Sequence, residues 1–430
     1  MNAKANNTNE KVRKLQRKLY LSAKTNKRRR FHALYDKVYR YDILQQAWQK
    51  VRENKGTSGI DQITLEDVET YGVFRMLVEL KEDLQKGSYH PSPVQRVYIP
   101  KKDGGKRPLG IPTVKDRIVQ MATKIVVEPI FEADFKPCSY GFRPKRNAKQ
   151  ALEQIKQKCK NNGWWVLDAD IKGYFDNINQ DKLMYMVEKR INDRRILKLI
   201  RKWLKAGVME EGDYQTSELG VPQGGVISPL LANIYLNYLD TVWEKEYSHL
   251  GTLVRYADDF VVISRTRKQI NHAYMAVKQI MQNLDLTLNQ EKTKLIKLWD
   301  GIEGFDFLGF HHRWNRKRSK SGKTYHAFTQ VPSDKAMNKM RETVRNLISK
   351  RTTLTQDIKQ LIEILNPKII GWSNYYGLHY AKKKLNKIDW YIINRFTIWY
   401  NHKHQRKSRH KGRPEVYGLI YRMGLKKLAS

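Results

Sequence analysis

Three carboxylates stand where a folded chain rarely tolerates charge. Asp258 and Asp259 are adjacent in LVRYADDFVVIS (253–264), between two runs of strand-forming residues, and Asp170 ends the apolar run WWVLDAD (164–170). Neighbouring anions repel, and a sheet gives them little water, so a cluster of them requires cations. Hard carboxylate oxygens select Mg²⁺, which keeps several waters and accepts substrate phosphates. Two such ions can activate an attacking 3′-hydroxyl and stabilise a leaving pyrophosphate. YADD taken alone is more often an ordinary hairpin turn.

For the three to meet, their strands must share a sheet. LVRYA and FVVIS read as the arms of a hairpin with the Asp pair at its turn, and WWVLDADI reads as a buried strand. Helix signals follow from Gln180, and VPQGGVISPLLANIYLNYLD predicts a helix from Pro229 to past Asp240. NAKQALEQIKQKCK (147–160) predicts a helix capped by Asn147. VQRVYIPKKDGGKRPLGIPT (94–113) reads as two strands joined by a DGG turn, a basic hairpin, and NKGTSGIDQIT (54–64) as a Gly-rich turn. Near the N-terminus, Leu15, Leu19 and Leu21, then Phe31, Leu34 and Val38, follow helical spacing and predict an amphipathic helix pair. Its charged face suits solvent and RNA alike. A polar, charged break at RWNRKRSKSGKT (313–324) marks the expected domain boundary.

The charge balance narrows the partners. The 430 residues carry 82 Lys and Arg against 43 Asp and Glu, a net charge of +39. Self-repulsion on that scale implies an anionic partner. Residues 311–430 alone hold 28 basic against 6 acidic residues, more than half of the net charge, and the first forty residues are also strongly basic. At 11% aromatic residues the chain reads as folded, not as a basic tail. No apolar run approaches a membrane span, and the polar, basic N-terminus lacks a signal core. Two cysteines, Cys138 and Cys159, are too few for a disulfide framework or a four-cysteine zinc site. A reducing, soluble setting with nucleic acid as partner is expected.

Eight segments then occur in a telling order: NKGTSGID, KKDGGKRPLGIPTVKDRIVQ, SYGFRPKRNAKQAL, LDADIKGYFDNI, GVPQGGVISPLLANIYL, RYADDFVVI, LNQEKTKL and FDFLGF. In this order the sequence resembles the reverse transcriptases encoded by group II introns, over roughly residues 50–310, and GWSNYYG (371–377) resembles their maturase segment. The resemblance implies an α+β right-hand polymerase: fingers, a palm with an antiparallel sheet, a helical thumb, and a basic helical C-terminal region. The implied domains are 1–85 (basic extension and start of the fingers), 86–312 (fingers and palm), 313–400 (helical thumb, domain X) and 401–430 (basic DNA-binding region).

Carried over position by position, the resemblance makes Asp170, Asp258 and Asp259 the catalytic carboxylates. They would hold two Mg²⁺ ions together with the backbone carbonyl of Ile171. Asp168 and Asp176 do not align with metal ligands and are read as structural. Phe175 falls where the family places a ring against C2′ of the incoming nucleotide, excluding a ribose hydroxyl. Gln223, in PQGG, matches the glutamine near that nucleotide, and Gly224 and Gly225 allow close backbone approach. Lys101 and Arg107 are expected on the triphosphate, while Lys102, Lys106 and Arg143 face template or solvent, with Arg143 assigned to nucleic acid. Lys292 or Lys294 would protonate pyrophosphate, and the sequence does not choose between them. Phe307, Leu308 and Gly309 resemble the primer-gripping hairpin, although apolar packing explains FDFLGF equally well. Lys382, Lys383, Lys384, Lys387 and Arg395 are expected on an outer, nucleic-acid-binding face, and Trp372, Trp390 and Trp399 in the core beneath it. Arg406, Lys407, Arg409 and Lys411 supply the basic tail.

The implied activity is RNA-directed DNA synthesis on group II intron RNA, with dNTPs and a DNA primer, plus maturase assistance to intron folding and splicing. DNA target and intron RNA are the implied partners, with no membrane, in a bacterial-type cytoplasm near the nucleoid. Many relatives end in a cysteine-containing HNH endonuclease. No cysteine follows Cys159, so an endonuclease-lacking type, primed for example from a nascent strand, is expected. A second departure is Gln62, where the family commonly has Gly. Two other readings share these residues: an RNA-binding splicing factor without polymerase activity, and a reverse transcriptase recruited to host repair or defence. The intact aspartates and PQGG argue against the first.

Overall fold

The computed structural model describes residues 2–100, 105–210, 213–215, 219–319, 321–348, 353–378, 380–408 and 412–429, without the side chains of 2–8 and 107. It divides into two compact units, one of residues 1–151, 167–262 and 267–294, the other of 152–166, 263–266 and 295–430.

The first unit is built on the helix Val114–Glu132, whose residues Val114, Ile118, Val119, Ala122, Ile125, Val126 and Ile130 are all buried. A helix buried over most of its length must be wrapped by its neighbours. The helices Asn2–Thr25, Tyr41–Glu53 and Ser228–Val242 pack against it. In Asn2–Thr25 the inward residues are Val12, Leu19 and Ala23, whereas Leu21 is 49% exposed. The second half of the predicted N-terminal helix pair is not a full helix. Phe31 instead makes a backbone bridge to Ile191, and only Tyr35–Val38 is helical. Phe31, Leu34 and Val38 are nonetheless buried.

Strand β1 (Val94–Pro100) and strand β2 (Lys106–Ile111) form the expected hairpin, in register from Gln95↔Ile111 to Pro100↔Lys106. Gln62, at the Gly-rich turn, has φ 57°, the left-handed conformation that Gly adopts without strain. The helices Ala148–Lys160, Gln180–Glu188 and Ser228–Val242 appear where the sequence predicts them. Asn147 Oδ1 accepts from the Gln150 backbone N–H (3.1 Å), the expected cap.

The remaining strands of the chain are β3 (Trp165–Ala169), β4 (Val208–Glu210), β5 (Asp213–Gln215), β6 (Thr252–Tyr256), β7 (Asp259–Ser264), β8 (Lys294–Lys297), β9 (Gly304–Phe307), β10 (Phe310–Arg318) and β11 (Thr324–Pro332). The sheet orders are β2-β1-β4-β5, β6-β7-β3-β8 and β11-β10-β9. The Trp164 N–H donates to the Ser264 carbonyl (3.0 Å), so β3 begins beside the end of β7. Neighbouring strands paired in that way run antiparallel, and the end of β3 lies beside the start of β7.

In the second unit, residues 313–324, expected as a break, belong to the hairpin β10–β11, in register from Phe310↔Pro332 to Arg318↔Thr324. Dense charge hides the two-residue period there, but Trp314 packs edge-on to Phe328 at 5.8 Å. Helix therefore begins at Asp334, not at 313, and continues as Asp334–Ile348, Ile358–Tyr376, Lys382–Lys403 and Arg413–Arg422. Met340, Val344, Leu365, Ile369, Ile388, Phe396 and Val416 form their common core. Trp399 is buried and Trp372 packs against this core, but Trp390 is 54% exposed, contrary to expectation. Among the described residues no helix is long and apolar enough to cross a membrane.

Candidate active site

β6 ends at Tyr256 and β7 begins at Asp259, leaving Ala257 and Asp258 as the turn. Ala257 has φ 59°, left-handed for a residue with a Cβ. Two contacts hold it there. The Arg255 Nη1 donates to the Ala257 carbonyl at 2.8 Å, and Gly141 backs onto the turn so closely that a Cβ would stand 2.4 Å from the Ala257 nitrogen. Asp170 follows β3, and its carbonyl accepts from the Asn289 N–H at 2.8 Å. Ile171, 5% exposed, is bridged to Leu288, which fixes the backbone just beyond Asp170. The antiparallel pairing of β3 with β7 therefore brings Asp170, Asp258 and Asp259 to one end of the sheet.

Lys292 Nζ stands 3.6 Å from Asp170 Oδ2, a cation beside the first carboxylate. Lys294, at the start of β8, is exposed. Among the described residues no three His, Cys, Asp or Glu side chains are drawn closely enough to hold a metal ion. The donor set nevertheless suits a hard divalent cation: carboxylate oxygens on two neighbouring strand ends, on backbone fixed by hydrogen bonds.

Sequence reasoning missed the group beneath this turn. Arg255 is fully buried, its Nε and Nη2 donating to both carboxylate oxygens of Asp240 (2.8 and 2.5 Å) and its Nη1 also to Asn233 Oδ1 (3.0 Å). Burial alone would lower the Arg255 pKa, but the Asp240 carboxylate more than offsets it and the net shift is upward. Asn233 Nδ2 in turn donates to the Gly141 carbonyl (2.8 Å), and the Arg255 backbone pairs with Cys138 and Tyr140. One buried ion pair thus ties the turn, residues 138–141 and the helix Ser228–Val242 together. Tyr174, 3% exposed, donates to the Ala232 carbonyl (2.6 Å). Burial drives its pKa well up, opposed by Arg255 and reinforced by Asp258. The available signal was a charged residue inside each of two apolar runs, LVRYA and LLANIYLNYLD.

Phe175 is half-buried next to Tyr174, ring centroids 5.3 Å apart and edge to face. Its carbonyl accepts from the Val221 N–H (2.8 Å), joining it to the PQGG segment. Gln223 Nε2 donates to Asp176 Oδ1 at 3.3 Å, which gives Asp176 a structural partner. The Gly110 N–H donates to the Gln223 carbonyl (2.6 Å), and a Cβ on Gly224, φ 114°, would stand 2.4 Å from the Gly110 oxygen. The glycine permits the dock onto β2. Asp168 lies within β3.

Other expected residues fare differently. Lys101 and Lys102 lie outside the described residues, as does the Arg107 side chain, although Arg107 pairs with Ile99 in the hairpin. Lys106 is exposed, its Nζ 5.7 Å from the Tyr98 ring centroid. Arg143, expected at nucleic acid, is turned inward. It is 8% exposed, paired through Nε and Nη2 with Glu132 (3.0 and 2.6 Å) and through Nη1 with the carbonyls of Lys136 and Ser139. Its donors are spent on folding residues 132–143.

In the second unit, Leu308 (φ 50°) and Gly309 (φ 80°) form the turn between β9 and β10. The Tyr375 hydroxyl donates to the Leu308 carbonyl (3.0 Å), and a Cβ on Gly309 would stand 2.4 Å from the Tyr376 oxygen. Phe307 is 3% exposed, so its ring belongs to packing. Lys382, Lys383 and Lys387 are exposed, and Lys384 Nζ pairs with Asp334 (2.5 Å). Arg395 is half-buried. Arg406 pairs with Glu415 (3.0 Å) and Lys407 is exposed, while Arg409 and Lys411 lie outside the described residues.

Residues 99–312 match the family model for reverse transcriptase (RNA-dependent DNA polymerase), and residues 337–417 match the group II intron maturase-specific domain. Protein YkfC of Escherichia coli is 36% identical over 76% of this chain and 94% of its own length. The group II intron-encoded protein LtrA of Lactococcus lactis is 43% identical over 49% of this chain and 35% of its own length. An uncharacterized 91 kDa protein in the cob intron of Schizosaccharomyces pombe is 28% identical over 82% of this chain and 51% of its own length. With a reverse transcriptase domain followed in sequence by a maturase domain, the chain belongs to the group II intron reverse transcriptase–maturase family and is an RNA-directed DNA polymerase.

Proposed function

We propose that Asp170, Asp258 and Asp259, with the Ile171 carbonyl, hold two Mg²⁺ ions and form the nucleotidyl-transfer site. When bound, the ions supply the Lewis acidity that readies a primer 3′-hydroxyl and offsets charge on pyrophosphate. The chain's own residues do the rest. The carboxylates define where the ions sit, and the buried Arg255–Asp240 pair keeps the Asp258 turn in place. Lys292, the lysine next to Asp170, is the better-placed of the two candidates to protonate the leaving pyrophosphate. Gln223, held by Asp176, borders the nucleotide, and Lys101 and Arg107 take its triphosphate. The turn residues Leu308 and Gly309, carried on the buried Phe307, contact the primer strand. The basic residues of the second unit, among them Lys382, Lys383, Arg406 and Lys407, bind group II intron RNA and DNA target. Copying that RNA and assisting its splicing are the two roles.

The supporting observation is the antiparallel placement of β3 beside β7 inside the matched polymerase domain. The test is incorporation on a DNA primer annealed to an RNA template. The wild-type protein should extend with deoxynucleotides in Mg²⁺ and discriminate against ribonucleotides. Phe175→Ala removes the ring that collides with a 2′-hydroxyl, so ribonucleotide incorporation should rise about tenfold or more relative to deoxyribonucleotide, the scale of ~1.4 kcal/mol in differential binding. An unchanged preference would leave Phe175 as packing against Tyr174.

A further inference from the structure

The helix Lys382–Lys403 exposes one tryptophan of its aromatic stripe, Trp390, at 54%. An indole in water is unused binding surface, since aromatic burial is among the largest gains a side chain offers. One face of Trp390 carries the Arg413 guanidinium, 5.3 Å from the ring centroid, and Arg413 Nη2 is itself held by Asn394 Oδ1 at 3.0 Å. Trp390 also lines an adjoining cavity that Arg413 does not. That cavity, about 380 Å³, is lined by Arg341, Asn386, Lys387, Trp390 and Tyr391.

The spacing explains the site. Asn386 with Trp390, and Lys387 with Tyr391, are i,i+4 pairs that lie side by side on one helix face. Arg341 comes from the helix Asp334–Ile348, which packs alongside. Its Nη1 donates to Asn338 Oδ1 (2.8 Å), which steadies it at the rim.

We propose that this cavity binds one unpaired nucleobase of an RNA strand, stacked on Trp390, with the flanking phosphates on Lys387 and Arg341. The proposal rests on the reading of the chain as an RNA-acting protein and adds a site to it. Three features select this ligand. The volume lies at the small end of ligand pockets, about 300–1,000 Å³, and suits one nucleotide. The lining holds two cations and no acid, which suits a phosphodiester. Asn386 brings an amide donor and acceptor for a base edge, and the aromatic ring accepts any base by its π-face. A duplex offers the phosphates but keeps its bases stacked internally.

The experiment uses the full chain with its polymerase cleft saturated by an unlabelled annealed primer–template. Affinity is read by fluorescence anisotropy for labelled oligouridine and for a duplex RNA of equal length. Trp390→Ala should weaken oligouridine binding about five- to 150-fold, the range for ~1–3 kcal/mol of stacking per base. Trp390→Phe should retain most of it, and duplex binding should not change. Lys387→Ser should reduce the salt slope for oligouridine by about 0.7. Oligomers carrying 5-iodouridine should crosslink within 386–391. Wild-type affinity of Trp390→Ala for oligouridine, equal loss for duplex and single strand, or crosslinks elsewhere only would each overturn the site. Primer extension by the same preparations reports on the polymerase reading separately.

Discussion

Asp258→Asn should reduce Mg²⁺-dependent extension of a DNA primer on an RNA template to background, while RNA binding survives. The substitution keeps the size of the side chain and removes its charge. It leaves in place the Arg255 hydrogen bond to the Ala257 carbonyl, which helps to hold the turn. What is lost is an anionic oxygen ligand, which a neutral amide replaces poorly for a hard cation. Affinity for RNA should persist or rise, because a carboxylate near phosphate opposes binding. Filter binding with folded intron RNA and single-turnover extension read the two properties apart. Full extension by the variant would remove Asp258 from the site.

Arg255→Met is expected to be the most destabilising single change in the first unit, by about 3–5 kcal/mol, because it strands the Asp240 carboxylate without its partner in a dry interior. Both side chains are fully buried. The mechanism predicts a specific rescue: Asp240→Leu combined with Arg255→Met should recover most of the loss, since an apolar pair of similar volume carries no desolvation penalty. Chemical denaturation midpoints measure this. Extension by the double variant should remain impaired even at temperatures where it is folded, because the hydrogen bond to Ala257 is gone. A double variant as unstable as the single one would mean that packing, and not stranded charge, sets the cost.

The hairpins and helices legible in the sequence are those with strong local signals. The β1–β2 hairpin, the Asn147 cap and the LVRYADDFVVIS turn each rest on short-range periodicity or turn chemistry. Elements fixed by distant partners were not legible. Phe31 reads as helical by spacing, but it pairs with Ile191 across a long stretch of chain. The β10–β11 hairpin was hidden because cations on one strand mask the alternation. At the site, the carboxylates were visible because charge between strand-formers is unusual. Arg143 and Arg255 were harder to place, since an arginine in sequence does not reveal whether its donors meet phosphate or Glu132 and Asp240. Trp390 failed as core for a similar reason: an aromatic stripe does not reveal which member faces solvent.

The most direct test of the central claim is Mn²⁺ binding followed by electron paramagnetic resonance, with annealed primer–template and a non-hydrolysable dNTP present. Mn²⁺ stands in for Mg²⁺ at octahedral oxygen sites. The account predicts saturable binding by the wild-type protein that Mg²⁺ competes away. It also predicts loss of that binding in Asp170→Asn combined with Asp258→Asn, under conditions where the variant still holds primer–template. Mn²⁺ bound as tightly and in the same number by the variant would contradict the assignment of these carboxylates.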